Sequence, residues 1–244
     1  MDEQLYAIPV NDAFNADCEC PVCLMYRSLE KAAVEFTLGP SYMEDDVRMV
    51  TDKVGFCDRH VSKMYAFGNR LGLALMLKTH ADKMIKETES RKSQVKSKGK
   101  SLLSKGEDNE CGLSKYLRET EESCFVCNRI NNVFDRYIDT VFYLYSSDRD
   151  FKEKFNGSKG YCSKHMRLLL DKCFEKLPGE DAKAFSDTLV KQYLENLERV
   201  RDDLSWFIDK FDYRNQDAPW KESKDAVQRM MMKQNSVYYE RGKE

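Results

Sequence analysis

An all-α fold is predicted for this 244-residue chain by three observations. Apolar residues recur at intervals of three and four in nearly every segment, the spacing of one buried helix face. Only five prolines interrupt that pattern. A Cys-x-x-Cys pair followed by Gly-aromatic-Cys-x-x-His occurs twice, and each half of that motif falls where a helical pattern begins.

Cys20 opens the first helical stretch, with Pro21 in a first-turn position where its missing N–H would have no partner anyway. Leu24, Leu29, Ala33 and Phe36 supply its buried side, and Gly39-Pro40 ends it. Tyr42 to Arg48 reads as a short helix leading to a turn at Gly55. A further helix starts near Cys57 and is expected to run unbroken through Met64, Leu71, Leu75 and Ala81 to about Glu89. Arg91 to Lys105 holds six Lys or Arg, no acid and several Ser and Gly, the composition of a solvated linker. After Cys127, the residues Ile130, Phe134, Ile138, Val141, Phe142 and Tyr145 form a thick apolar face. Past Leu177-Pro-Gly179, a stripe through Phe185, Leu189, Tyr193, Leu197, Val200, Leu204 and Phe211 predicts a helix of about 30 residues, near 45 Å long. Its aromatic content suits a core spine serving both repeats better than a narrow dimer seam. The polar-aromatic segment 211–226 leads to a last helix carrying Met230 and Met231, which either meets a partner or folds back with Trp220 as its anchor. The expected organisation is a first Cys/His repeat at 1–90, a basic linker at 91–115, a second repeat at 116–178, and the long helix with its carboxyl-terminal segment at 179–244, which can pack as one domain.

The first ligand set is Cys20, Cys23, Cys57 and His60, and the second is Cys124, Cys127, Cys162 and His165. The intervals between the paired motifs are 33 and 34 residues. Ligands three apart share one face of a helical turn, so each set reads as two helix starts of one repeat clamped by one ion. The helix dipole lowers the cost of deprotonating a thiol placed there. Three thiolates and one imidazole suit tetrahedral zinc, and four protein ligands leave no open position for substrate or activated water, which predicts two structural zinc ions. Leu24 and Asn128 stand where c-type haem attachment requires His, and no βαβ context supports a thioredoxin-like site. Iron–sulfur ligation is the competing metal chemistry. Cys18 is near enough to compete with Cys20 as a ligand.

A net charge of −2 gives no global attraction to nucleic acid or to an anionic membrane, so nucleic acid binding would have to come from the linker at 91–105. The longest dense apolar run, Leu71 to Leu77, is far short of the roughly 20 residues that a membrane span needs. Nine cysteines, and an amino terminus without a basic start or apolar core, predict a cytoplasmic protein.

Ala7-Ile-Pro-Val-Asn-Asp-Ala-Phe14, Cys20-Pro-Val-Cys23, Leu38-Gly-Pro-Ser-Tyr-Met-Glu-Asp-Asp-Val-Arg48, Gly55-Phe-Cys57, Asn69-Arg-Leu-Gly-Leu-Ala-Leu75, Thr79-His80 and Lys210-Phe-Asp-Tyr-Arg-Asn215 together resemble a bacterial family of unknown function, domain of unknown function 6062. The resemblance covers nearly the whole chain and implies a cytosolic protein of an anaerobic Gram-positive lineage. It supplies no activity.

No phosphate-cradling glycine loop, nucleophile elbow or His-Glu-x-x-His helix is present, and two of the three histidines are assigned to metal. The sequence therefore leans away from an enzyme and toward an interaction or regulatory module with a protein partner. The alternative is a thiol-based sensor that releases zinc on oxidation. An enzymatic reading would need His80 to cluster with Tyr42, Glu44, Asp45, Asp46 and Arg48.

Overall fold

A computed structural model describes residues 5–95 and 111–238. Among the described residues every regular element is helical and no strand occurs. Eleven α-helices follow one another: α1 Ala7–Asn15, α2 Pro21–Leu38, α3 Asp45–Val54, α4 Asp58–Phe67, α5 Arg70–Arg91, α6 Gly112–Glu122, α7 Phe125–Ser147, α8 Arg149–Asn156, α9 Ser163–Lys176, α10 Gly179–Asp209 and α11 Ala226–Asn235. None is long and apolar enough to cross a membrane.

The chain forms two compact units that do not follow the order of the repeats. One comprises residues 1–28 and 133–244, the other residues 29–132. The divisions fall inside α2 and inside α7. α2 has 18 residues and the α3 that follows it 10, while α7 has 23 and α8 eight.

In the unit of residues 29–132, the expected continuous helix from Cys57 to Glu89 is broken into α4 and α5. Gly68 ends α4 in the left-handed region at φ 103°, and the Asn69 side chain accepts a hydrogen bond from Gly72 N at 2.9 Å to start α5. Asn69 also donates to Leu38 O at 2.7 Å, tying the new helix start to the end of α2. α3 packs along α5. The Arg48 guanidinium on α3 donates to Thr79 Oγ1 at 3.1 Å and to Leu75 O at 3.4 Å. The basic linker expected at 91–105 is described only as far as Val95; residues 96–110 lie outside the described part, and α6 begins at Gly112.

In the other unit the core is aromatic. Phe14, Phe142, Tyr145, Phe151, Phe155, Tyr161 and Phe185 are all buried, and their rings meet at 4.6–6.0 Å, mostly tilted or edge to face. The long helix is 31 residues, and Phe185, Leu189 and Val200 are its buried stripe. It lies wholly in this unit, where Phe185 packs against Phe142 and Phe155 of the second repeat and Arg199 pairs with Glu19 of the first. The stripe ends with Leu204 and Phe207 half-buried, and departs from the expectation at Phe211, which is exposed just beyond the helix. The segment after it folds back. Trp206 Nε1 donates to Pro219 O at 2.9 Å, the Phe207 and Trp220 rings lie 5.8 Å apart, and the buried Lys210 ammonium donates to the carbonyls of Asn215, Gln216 and Ala218. Trp220 is thus the anchor that brings α11 onto the body, where it packs against α9 and α10.

Candidate metal centres

Four helix starts carry the eight ligands in one local pattern. Cys20, Cys57, Cys124 and Cys162 each stand immediately before a helix, and Cys23, His60, Cys127 and His165 each occupy its third residue. At the two Cys-x-x-Cys starts the third-residue N–H points back at the preceding sulfur: Cys23 N donates to Cys20 Sγ at 3.4 Å and Cys127 N to Cys124 Sγ at 3.5 Å. The sulfur takes the place of an N-cap oxygen, and the helix dipole favours its negative charge.

The helix starts pair across the repeats. Cys20, Cys23, Cys162 and His165 form one cluster and Cys57, His60, Cys124 and Cys127 the other, with all four ligand atoms of each within 4.8 Å of one another. The within-repeat sets expected from sequence order are corrected: all eight residues cluster, but each Cys-x-x-Cys meets the Cys-x-x-His of the other repeat. Two identical motifs at matched spacing carry no signal for which pairs with which. Cys18 is outside the cluster, its sulfur 3.9 Å from Ala13 O, so Cys20 keeps its place.

In the first cluster His165 Nδ1 lies 3.5 Å from Cys20 Sγ, 3.2 Å from Cys23 Sγ and 3.3 Å from Cys162 Sγ, and Cys23 and Cys162 bring their sulfurs to 3.5 Å. In the second, His60 Nδ1 lies 3.3, 3.4 and 3.2 Å from the sulfurs of Cys57, Cys124 and Cys127, and the Cys57 and Cys127 sulfurs are 3.8 Å apart. A tetrahedral ion with zinc-like bond lengths sets S–S edges of about 3.8 Å and S–N edges of about 3.6 Å. The S–N distances of 3.2–3.5 Å and the S–S distances of 3.5 and 3.8 Å lie near those edges, and both clusters can hold a metal ion. The charge balance asks for one. Contact with Cys162 and Cys20, together with burial, pushes the Cys23 thiol far above its usual range, and burial with the neighbouring Cys124 charge pushes Cys127 up to about 12. Burial opposes ionisation of Cys124 too, yet its contact with His60 brings it down to about 6. Three thiolates do not ionise together in so small a volume unless a cation lies among them.

The two units join their helix starts by different means. In residues 29–132, Phe125 N donates to Gly55 O at 3.0 Å, and Ser123 Oγ donates to Val54 O at 2.6 Å. In the other unit the matching positions are Pro21, which has no N–H, and Glu19, whose carboxylate cannot donate. Lys233 of α11 bridges the two helix starts instead. Its ammonium, 1% exposed, donates to Glu19 O at 2.8 Å and to Lys159 O, and pairs with Glu19 Oε2 at 3.0 Å. Ser236, just past α11, donates to Cys162 Sγ at 3.1 Å. Nothing in the sequence marks Lys233 except a single Lys in a methionine-rich helix face, so it was missed.

Glycine is required in both Gly-aromatic-Cys turns. Gly55 has φ 60° and ψ −152°, and Gly160 has φ 73°. A Cβ on Gly55 would also lie 2.5 Å from His80 Nε2, and one on Gly160 would lie 3.1 Å from Gln192 O. His80 is therefore the cover of a metal-site turn, its Nδ1 2.8 Å from Asp52 O. Arg48 engages the neighbouring Thr79, and Asp46 Oδ1 accepts from Val47 N at 2.8 Å. Asp52 O, rather than Tyr42, Glu44, Asp45, Asp46 or Arg48, lies against His80 Nδ1.

The His60 ring has a carboxylate behind it. Its Nε2 lies 3.2 Å from Glu30 Oε1, and Glu30, 5% exposed, also pairs with Arg59 at 3.3 Å and with Lys63. Burial opposes the Glu30 charge, but these partners hold its carboxyl down to about 2. The His165 ring instead lies 5.9 Å from the Phe134 ring.

The model of a family described as a family of unknown function, DUF6062, matches residues 1–241. No curated protein and no solved structure matches the chain.

Proposed function

We propose that this chain, which belongs to that family of unknown function, is a zinc protein of the cytoplasm whose two structural ions fold it into a non-enzymatic interaction or regulatory module. The observation that carries the reading is the exchanged pairing of two three-Cys, one-His clusters, each with near-tetrahedral edge lengths and each made of two opposed helix starts. Sulfur-rich sets with one imidazole favour zinc over harder cations. Cys20, Cys23, Cys162 and His165 would hold one ion and Cys57, His60, Cys124 and Cys127 the other. For His60 Nδ1 to bind metal, Nε2 must carry the proton, and Glu30 is placed to accept it.

With four protein ligands the ion's role is to stabilise the fold, which suits action by binding rather than by turnover. The third histidine supports the same reading, since its ring covers Gly55. Exposed Ile208, Phe211 and Tyr213 at the end of α10 offer apolar contact to a protein partner. The test is elemental analysis of protein purified under reducing conditions without added metal. Two equivalents of zinc per chain are expected; iron, or no metal with all thiols titratable, would overturn the reading.

A further inference from the structure

The two centres differ in what reaches their sulfurs. Cys20, Cys23 and Cys162 are 2%, 5% and 0% exposed, and α11 lies over them through Lys233 and Ser236. In the other centre Cys124 and His60 are buried, whereas Cys57 and Cys127 are both half-buried. These two accessible sulfurs come from different helix starts and stand 3.8 Å apart. Beside them stand two half-exposed cations, Arg59 and Lys63, both paired with Glu30. Partial exposure and nearby positive charge are the surroundings in which thiolates react.

We infer that the centre of residues 29–132 is an oxidation site for hydroperoxides, in which Cys57 and Cys127 join in a disulfide and release the metal, while the centre closed by α11 keeps its own. The inference rests on the metal reading above. One of the two thiolates attacks the distal peroxide oxygen, breaking the O–O bond, so that a sulfenic acid forms and the alkoxide or hydroxide leaves and takes a proton. The second thiolate then attacks the sulfenic sulfur, forming the S–S bond, and hydroxide leaves and is protonated to water. Two electrons pass from the sulfurs to the peroxide oxygens. Cys124 and His60 alone do not retain the ion, since two ligands of four are gone. Helix starts α4 and α7 stay joined, now through sulfur, and thiol reductant restores the site.

The experiment uses the reduced full-length protein, with zinc content measured first. Hydrogen peroxide is added in the presence of a chromogenic zinc chelator, and peptides are mapped by mass spectrometry. One equivalent should leave about tenfold or more faster than the second, with a Cys57–Cys127 linkage and with Cys20, Cys23 and Cys162 still in the thiol state. Dithiothreitol and zinc should reverse it. Simultaneous loss from both centres, loss from the α11-covered centre first, or two zinc ions retained under peroxide would overturn the inference while leaving the metal reading standing. Protein isolated with thiols but no metal would overturn the metal reading and this inference with it.

Discussion

Cys23 and Cys162, 139 residues apart in the chain, bring their sulfurs to 3.5 Å. An ion held there closes a loop of most of the protein, and the second centre, with ligands from Cys57 to Cys127, lies wholly inside that loop. In the chain-entropy account a cross-link over so many residues removes about 5 kcal/mol of freedom from the unfolded state. Metal removal is therefore expected to cost much more than the loss of local helix starts, and the cost should be read in thermal melts with and without a strong chelator.

Glu30→Gln should weaken metal binding at the centre of residues 29–132 by about 10- to 100-fold and leave the other centre unchanged. The amide keeps the shape but removes the charge that orients His60 and collects Arg59 and Lys63. Chelator competition that resolves two affinities checks this, with only the one nearer His60 expected to fall.

Gly55→Ala should destabilise its unit by about 1–3 kcal/mol from backbone conformation alone, with a further loss from the clash with His80. A second change, His80→Ala, should recover the clash but not the backbone part. Additive losses in the double variant, measured by denaturant unfolding, would contradict the account of His80 as the cover of this turn.

Lys233→Met should cost about 1–3 kcal/mol, because the carbonyls of Glu19 and Lys159 lose their donor while Arg199 still holds the Glu19 carboxylate at 2.6 Å. Burial, partly offset by Glu19, holds the Lys233 ammonium below its ordinary 10.5. Between the folded value and 10.5 the unfolded chain binds the proton that the folded chain has lost, so this group makes stability rise with pH across that window. The variant should lack that rise, which pH-dependent melts of the two proteins compare directly.

Much of this was legible from residue types. The helical period announced the helices opened by Cys20, Cys57 and Cys124, and Gly39-Pro40, Gly55 and Pro178-Gly179 marked true breaks because their backbone limits are local. Gly68-Asn69 was passed over because the apolar period continues on both sides of it, and only the cap formed by Asn69 shows the interruption. The eight ligands were visible as a repeated motif, since metal chemistry fixes type and spacing together. Their pairing was not, because it depends on where α2 and α7 deliver the chain. Lys233 was hidden for the same reason: its role exists only beside Pro21, Glu19 and Lys159, which are distant in sequence.

The exchanged pairing is tested most directly by counting zinc in two double variants after equilibration with a weak chelator. In Cys23→Ser/Cys162→Ser both changes fall in one centre, and one zinc per chain is predicted to remain; in Cys23→Ser/Cys57→Ser each centre loses a ligand, and none is predicted to remain. The reverse result, no zinc in the first variant and one in the second, would mean that each repeat closes on its own ligands and would contradict the account.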